Sequence, residues 1–124
     1  MEAQTSHLLM ADLVDYTRLM ESDRDRTIGL VRELRDTHLE PVVARFHGDL
    51  LKRMGDGWIF SFGDEASATE AALEVQRGLA HHEAIRMRMA CHSAEVLHDE
   101  ADFYGPGVNL TQRIMTEAPP GGVM

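Results

Sequence analysis

The spacing of apolar residues predicts a strand and then a long helix in the first part of the chain. Residues 7–14, HLLMADLV, are mostly apolar, as in a buried strand. Ser22 or Asp23 can cap a helix that continues to about residue 48. Pro41 lies inside this helix and should kink or divide it, because proline donates no backbone hydrogen bond. The apolar residues of the helix recur at roughly helical spacing, namely Leu30, Leu34, Val42, Val43 and Phe46.

A hairpin and a second helix are predicted next. Residues 50–54 and 58–62 have the composition of strands, and residues 55–57, GDG, join them in a short turn. Asp64 can cap the helix that follows. One face of that helix is apolar and consists of Ala68, Ala72, Val75 and Leu79.

The remaining residues predict one more strand and a final helix. Residues 85–94, IRMRMACHSA, alternate at first between polar and apolar, as strands do. A second turn is expected at about residues 98–102. Residues 105–107, GPG, lead into a helix that fades at residues 118–122, APPGG.

The order of these elements indicates the fold class. Strand, helix, strand, strand, helix, strand predicts an α+β fold of the split βαβ, ferredoxin-like kind, with an antiparallel sheet and helices on one face. This core is complete by about residue 94, and the final 30 residues add a β-excursion and a helix. The length of 124 residues is that of a single domain, which we expect to span residues 1–124.

Composition and charge narrow the class of protein. Apolar residues make up 44% and charged residues 27% of the chain, as in ordinary globular domains. The formal net charge of −9 argues against binding to nucleic-acid backbones, although divalent metals can bridge carboxylates to a nucleotide. No apolar run approaches the ~20 residues of a membrane span, and the N-terminus has no basic region typical of a signal peptide. The single cysteine, Cys91, fits a cytoplasmic location.

Two aspartates stand at strand ends that a ferredoxin-like sheet brings together. Asp12 follows the apolar run LLMA, and Asp56 is at the tip of the hairpin. The first and third strands are neighbours in this fold, so the two carboxylates can converge. Mg²⁺ and Mn²⁺ prefer such oxygen ligands and accept substrate phosphates as further ligands. Asp56 alone is better explained as part of an Asp-Gly turn, whereas Asp12 must be paired, capping or coordinating.

A second group of polar residues lies in the last helix. Asn109 and Arg113 are four residues apart and therefore share one helix face, while Val108 and Ile114 can face the core. An amide and a guanidinium on one face can hold ribose and phosphate oxygens. A solvated surface pair is the commoner meaning of this spacing.

Three segments of the chain resemble a known family. LLMADLVDYTRLM, LLKRMGDGWIFSF and DFYGPGVNLTQRI are similar to the signature segments of class III adenylyl and guanylyl cyclases. They occur in the family's order, and the resemblance covers about residues 7–124. Each segment alone is a weak signal, whereas the three together favour membership of this family.

The resemblance implies roles for the metal-binding and base-reading residues. Asp12 and Asp56 match the two metal-binding aspartates, so two Mg²⁺ or Mn²⁺ ions per site are expected. Lys52 and Asp102 match the two positions that read the base. Adenine presents an acceptor at N1 and a donor at N6, which complement a lysine that only donates and a carboxylate that only accepts. The expected substrate is therefore ATP, and the expected product is cyclic AMP.

The resemblance also implies how catalysis is assembled. Asn109 matches the asparagine that orients the ribose, and Arg113 matches the arginine that stabilises the transition state. The implied reaction is in-line attack of the ribose 3′-hydroxyl on the α-phosphorus, assisted by two metals. Family members form head-to-tail dimers with the sites at the interface. We therefore expect a homodimer in which Asp12 and Asp56 of one chain face the other four residues of its partner.

Some positions depart from the family pattern. Asp15 stands where the family usually has glycine, near the expected triphosphate, and Ala90 and Ala94 replace glycines common in the fourth strand. The sequence ends at Met124, so the family's C-terminal segment has no counterpart and the domain is expected to lack it. These departures leave open a catalytically silent module that binds a nucleotide or a partner. A guanylyl cyclase is a further alternative, which Lys52 and Asp102 disfavour.

Three other residues were candidates for chemistry. Cys91 is expected to be a core residue, because the implied reaction needs no covalent intermediate. His81 and His82 are predicted to lie on the surface at a helix end and to bind no metal.

Overall fold

The structure, a computed structural model, describes residues 3–99 and 102–124, with side chains over residues 4–97 and 105–124. Its centre is a five-stranded sheet in the order β2-β3-β1-β4-β5. The strands are β1 (Ala3–Leu13), β2 (Asp49–Met54), β3 (Gly57–Phe62), β4 (Met87–Asp99) and β5 (Asp102–Tyr104). All neighbouring strands are antiparallel. The expected pairing of the first and third strands is confirmed by β1 and β3.

The last four residues extend this sheet. Val123 forms a parallel bridge with Met89 of β4. The backbone N–H of Gly121 donates to the carbonyl of Met87 at 2.7 Å, and that of Met124 donates to the carbonyl of Met89 at 3.0 Å. Part of β4 is therefore paired by the end of the chain, which the sequence pattern did not predict.

Two of the helices begin at the expected caps, Asp23 and Asp64. The elements are α1 (Tyr16–Ser22), α2 (Arg24–Glu33), α3 (Glu40–Arg45), α4 (Glu65–Leu79) and α5 (Pro106–Glu117). The side chain of Asp23 accepts from the backbone N–H of Arg26 at 3.1 Å, and that of Asp64 accepts from Ser67 at 2.7 Å. Such bonds satisfy N–H groups that have no partner within the helix. The short helix α1 was not predicted.

The long predicted helix is divided, as Pro41 suggested. Residues Leu34–Leu39 form a π-helical turn between α2 and α3, and Pro41 is the second residue of α3. Proline lacks the N–H that would bond four residues back, and its ring crowds that carbonyl. The chain widens into the π turn immediately before Pro41, so the helical path continues without that hydrogen bond.

The two faces of the sheet carry different helices. The larger core joins α2–α4 and the π turn to one face, with Leu9, Phe60 and Met89 among its buried residues. A smaller core on the other face contains Leu8, Met10 and Met115, the last from α5. The predicted split βαβ arrangement is thus confirmed, because the helices between its strands all lie on one face of the sheet. The additional helix α5 covers the opposite face. The continuous apolar run of β1 reflects burial on both sides.

Among the described residues, no helix combines the length and the hydrophobicity that a membrane span requires.

Candidate active site

Asp12 and Asp56 meet at one end of the central strand. Asp12 lies near the end of β1, opposite Gly57 of β3 on one side and Arg88 of β4 on the other. The backbone N–H of Leu13 donates to the carbonyl of Asp56 at 3.0 Å, which ties the hairpin tip to the end of β1. The sequence-predicted convergence of the two strand ends is therefore present.

Electrostatics shows that the two carboxylates interact. Burial raises the pKa of Asp12, the negative charge of Asp56 raises it further, and Arg88 acts in the opposite direction. Burial also raises the pKa of Asp56. The Oδ1 atom of Asp12 is buried and has no hydrogen-bond partner among the described residues. A buried carboxylate oxygen without a donor is unstable by itself, so this pair is suited to a divalent cation, which would satisfy that oxygen and reduce the repulsion.

Lys52 lines a cavity between the sheet and α5. The cavity has a volume of about 180 Å³ and is walled mainly by apolar residues, among them Met10, Ile59 and Met115. Its polar side chains are Lys52 from β2 and Gln112 from α5. The cavity therefore combines an apolar wall, on which a flat ring can stack, with hydrogen-bonding groups at its border. The backbone of Asp102 begins β5, but its side chain lies outside the part of the chain whose side chains are described.

Asn109 and Arg113 lie on the exposed side of α5. The opposite side of the helix is anchored by Thr111, which is fully buried and whose Oγ1 donates to the carbonyl of Gly107 at 2.6 Å. Met115 continues this buried side. The structure thus brings Asp12 to Asp56 and brings Lys52 to α5, and it leaves Asn109 and Arg113 facing outward from the single chain.

The structure explains how Asp15 is accommodated. Its backbone is left-handed, with φ of 62°, a conformation that favours glycine and that Asp adopts more readily than most residues. Its carboxylate accepts from the guanidinium of Arg18 at 2.9 Å. The negative charge of Asp15, near the end of β1, is therefore paired with the positive charge of Arg18. A polar cavity of about 230 Å³ adjoins this turn, with Arg26 and Arg86 also in its lining.

Two residues of the site were missed by sequence reasoning. Arg88 stands opposite Asp12, and its Nε donates to the carbonyl of Ala118 at 3.0 Å. The alternation of residues 85–94 placed it in a strand, but only the register of β4 against β1 shows its neighbour. Gln112 was overlooked because a polar residue on a helix is usually solvated, and no local pattern signals the cavity beside it.

The remaining candidates have structural explanations. Burial raises the pKa of the Cys91 thiol to about 11, and its Sγ lies 3.8 Å from the carbonyl of Ala68, so it is a poor nucleophile at neutral pH. His81 is exposed, as expected. His82 is half-buried just after the end of α4 and is bonded to Glu33 at 2.5 Å.

Comparison with known proteins identifies the class to which this fold and site belong. No protein-family model matches the chain. It is 36% identical over 123 residues to "Putative adenylate cyclase 3" of Rhizobium meliloti, covering 94% of the chain and 21% of that protein. It is 31% identical over 115 residues to an adenylate cyclase of Streptomyces coelicolor, covering 92% of the chain and 30% of that protein.

A solved structure agrees with these relatives. The crystal structure of an adenylate/guanylate cyclase/hydrolase from Silicibacter pomeroyi superimposes with a TM-score of 0.88 at 27% identity, over 98% of this chain and 75% of that one. By sequence and fold, the chain is a class III adenylyl/guanylyl cyclase catalytic domain. It spans less than a third of the length of the two relatives named.

Proposed function

We propose that the chain is the catalytic domain of an adenylyl cyclase, which converts ATP to 3′,5′-cyclic AMP and pyrophosphate. The observation that carries this proposal is the meeting of Asp12 and Asp56 at the end of β1, with one Asp12 oxygen buried and without a donor. Two carboxylates that burial and mutual repulsion destabilise are a costly arrangement for a purely structural role. The names of the two bacterial relatives support the choice of adenylyl cyclase.

Asp12 and Asp56 would hold two Mg²⁺ or Mn²⁺ ions. When bound, such ions lower the pKa of the ribose 3′-hydroxyl and neutralise charge on the triphosphate. Arg88 brings a fixed positive charge to the same end of the sheet, and Asp15 is already paired with Arg18. Arg88 therefore offsets part of the negative charge at Asp12, and Arg18 offsets that of Asp15.

The cavity beside Lys52 would hold the base. Its apolar wall suits the face of a purine ring, and the ammonium group of Lys52 can donate to adenine N1. Asp102 would accept from the adenine amino group. On α5, Asn109 would hydrogen-bond the ribose, and Arg113 would offset the charge that develops on the α-phosphate as the 3′-oxygen attacks and pyrophosphate leaves.

A complete site would need a second copy of the chain, arranged head to tail. Asn109 and Arg113 are exposed in the single chain. Large apolar side chains are exposed on α5 and beside it, namely Leu110 at 45% and Met54 at 45%, the latter from the edge strand β2 and lining the cavity against α5. Exposed apolar groups beside outward-facing catalytic candidates favour an interface at this surface.

Cyclisation of GTP is the second candidate. Gln112 lines the same cavity as Lys52, and a carboxamide can either donate or accept, so it suits the edges of both purines. The Silicibacter pomeroyi protein is named for both nucleotides. One of the departures that left the silent-module alternative open, the charge of Asp15, is paired with Arg18.

The direct test is an assay of the purified protein with ATP or GTP and either Mg²⁺ or Mn²⁺. Cyclic nucleotide and pyrophosphate are both measured, and they should form in equal amounts. We expect cyclic AMP to be formed faster than cyclic GMP. The Asp56→Ala protein is the matched negative control, because a residue at a turn tip contributes little packing. Absence of both cyclic products from a folded wild-type dimer would contradict the proposal.

A further inference from the structure

A cluster of one carboxylate and two imidazoles lies outside the candidate active site. Glu33 ends α2, His38 belongs to the π turn, and His82 follows α4. The Oε2 atom of Glu33 lies 2.5 Å from Nε2 of His82 and 3.5 Å from Nε2 of His38. In an α-helix, residues five apart face different directions, whereas the i→i+5 bonding of a π turn brings the fifth residue back beside the first. The π turn therefore allows Glu33 to meet His38, while His82 reaches the same carboxylate from the segment after α4.

The hydrogen bonds of His82 select one tautomer. Its Nδ1 atom accepts from the backbone N–H groups of Ala84 and Ile85, at 3.1 and 2.9 Å. A ring nitrogen that accepts carries no proton, so the proton of the neutral imidazole is on Nε2. There it is donated to Glu33, whose carboxylate can only accept. Partners on both sides of the ring thus require the same Nε2–H form.

This tautomer argues against a metal site. The ligand atoms of Glu33, His38 and His82 all lie within 4.8 Å of one another, a spacing that a metal ion could bridge. A metal-bound histidine almost always donates its other ring N–H. Metal at Nε2 of His82 would place a proton on Nδ1, directly against the N–H groups of Ala84 and Ile85. The cluster is therefore arranged for hydrogen bonding.

The loop held by His82 leads to the turn beside Asp12. Ile85 is fully buried, and the carbonyl of Arg86 accepts from the backbone N–H of Val14 at 2.9 Å. Val14 precedes the left-handed Asp15 in the turn between β1 and α1. A continuous series of contacts thus runs from Glu33 through His82 and the loop to the turn that follows Asp12.

We propose that His82 is a positioning residue: locked as its Nε2–H tautomer by Glu33, it holds the loop before β4 and, through it, the turn that follows Asp12. The site at Asp12 would then depend on a contact between α2 and the end of α4 that touches no substrate. The positioning is a property of the folded chain, and only its effect on turnover rests on the proposed cyclase activity.

Two substitutions of His82 separate its two hydrogen-bonding sides. Asn is short and presents an oxygen near the position of Nδ1, so His82→Asn keeps an acceptor for Ala84 and Ile85. Gln is longer and presents its amide near Nε2, so His82→Gln keeps the donor to Glu33 and loses that acceptor. We expect amide hydrogen exchange at Ala84, Ile85 and Val14 to accelerate by about tenfold or more in His82→Gln and by less than about threefold in His82→Asn.

The controls use the neighbouring residue and the tautomer itself. His81→Gln, at the exposed neighbouring position, should leave exchange at Val14 unchanged. In the wild type, ¹⁵N NMR should find the proton of neutral His82 on Nε2, and added Zn²⁺ should cause no saturable shift of its ring signals. A proton on Nδ1, saturable Zn²⁺ binding at His82, or equal exchange in the Asn and Gln variants would overturn the proposal. If the cyclase activity holds, kcat should fall more in His82→Gln than in His82→Asn.

Discussion

Gly107 and Ala94 are in such close contact, where α5 lies on β4, that a β-carbon on Gly107 would overlap the β-carbon of Ala94. Through this contact, the first turn of α5, the helix that carries Asn109 and Arg113, packs against β4. At this distance at least one of the two residues must lack a β-carbon, and in this chain it is Gly107.

Exchanging the two residues tests this contact. Gly107→Ala should destabilise the domain by about 1–3 kcal/mol through overpacking, although Ala in place of Gly normally favours a helix by up to about 1 kcal/mol. Adding Ala94→Gly to that variant should recover most of the loss, because it reopens the space. Denaturant unfolding measures both effects. A Gly107→Ala protein as stable as wild type would show that α5 is not held at this distance.

The metal-binding proposal predicts that removing the charge of Asp12 does not destabilise the metal-free protein, but abolishes its stabilisation by metal. Asp12→Asn should leave the metal-free protein as stable as wild type or more stable, because it removes a charge that burial and Asp56 oppose. Mn²⁺ should raise the Tm of the wild type and not that of the variant. Activity should fall by at least about a hundredfold. Asp25→Asn, on the exposed side of α2, is the charge-matched control. An equal Mn²⁺ effect on the wild type and Asp12→Asn would place the metal elsewhere.

Base choice should depend on Lys52 and Asp102. Changing both to Met and Ala should alter the ATP-to-GTP ratio of kcat/KM by at least about tenfold, because the groups that match the adenine edge are gone. Arg53→Gln, on the same strand and exposed, should leave the ratio unchanged. If the double substitution lowers both rates equally, these residues bind the nucleotide without reading its base.

Glu33 should stabilise the fold above acidic pH. The hydrogen bond from His82 is the main cause that holds the pKa of Glu33 below its ordinary value of 4.5, and His38 adds to it. A carboxyl whose pKa is lower in the folded state contributes stability above its unfolded pKa and loses it as pH falls through the folded pKa. Glu33→Gln should therefore cost up to about 1 kcal/mol at neutral pH and nothing at the acid end.

The measurement is the free energy of unfolding as a function of pH. Glu83→Gln, at an exposed position, is the matched control and should follow the wild-type curve. Parallel curves for the wild type and Glu33→Gln throughout the acid range would contradict the pairing with His82.

The shared site predicts complementation between two inactive variants. Asp56→Ala and Arg113→Ala homodimers should each be inactive, because every site lacks one essential group. In a mixed dimer, one site collects both defects and the other collects none. Random mixing makes about half of the dimers mixed, so activity should recover to roughly a quarter of wild type at most. No recovery, with subunit exchange confirmed by a separate measurement, would mean that each site is built within one chain.

The sequence by itself determined most of the local elements and the acidic pair. Asp23 and Asp64 cap their helices through bonds three residues away, and such bonds depend little on the rest of the fold. Pro41 predicted the division of the long helix, because the missing N–H of proline is also a local property. The meeting of Asp12 and Asp56 followed once the order of elements indicated that β1 and β3 are neighbours.

Only the tertiary structure decided contacts between residues distant in the chain. Glu33 and His82 are separated by 49 positions, and they meet because the π turn and the loop after α4 pack together. The placement of α5 on the second face, with Gly107 against Ala94, depends on which side of the sheet has room for the helix. The Arg88 neighbour of Asp12 depends on strand register. Local propensity contains no information about these choices, because each is decided by the packing of two surfaces that exist only after the elements have formed.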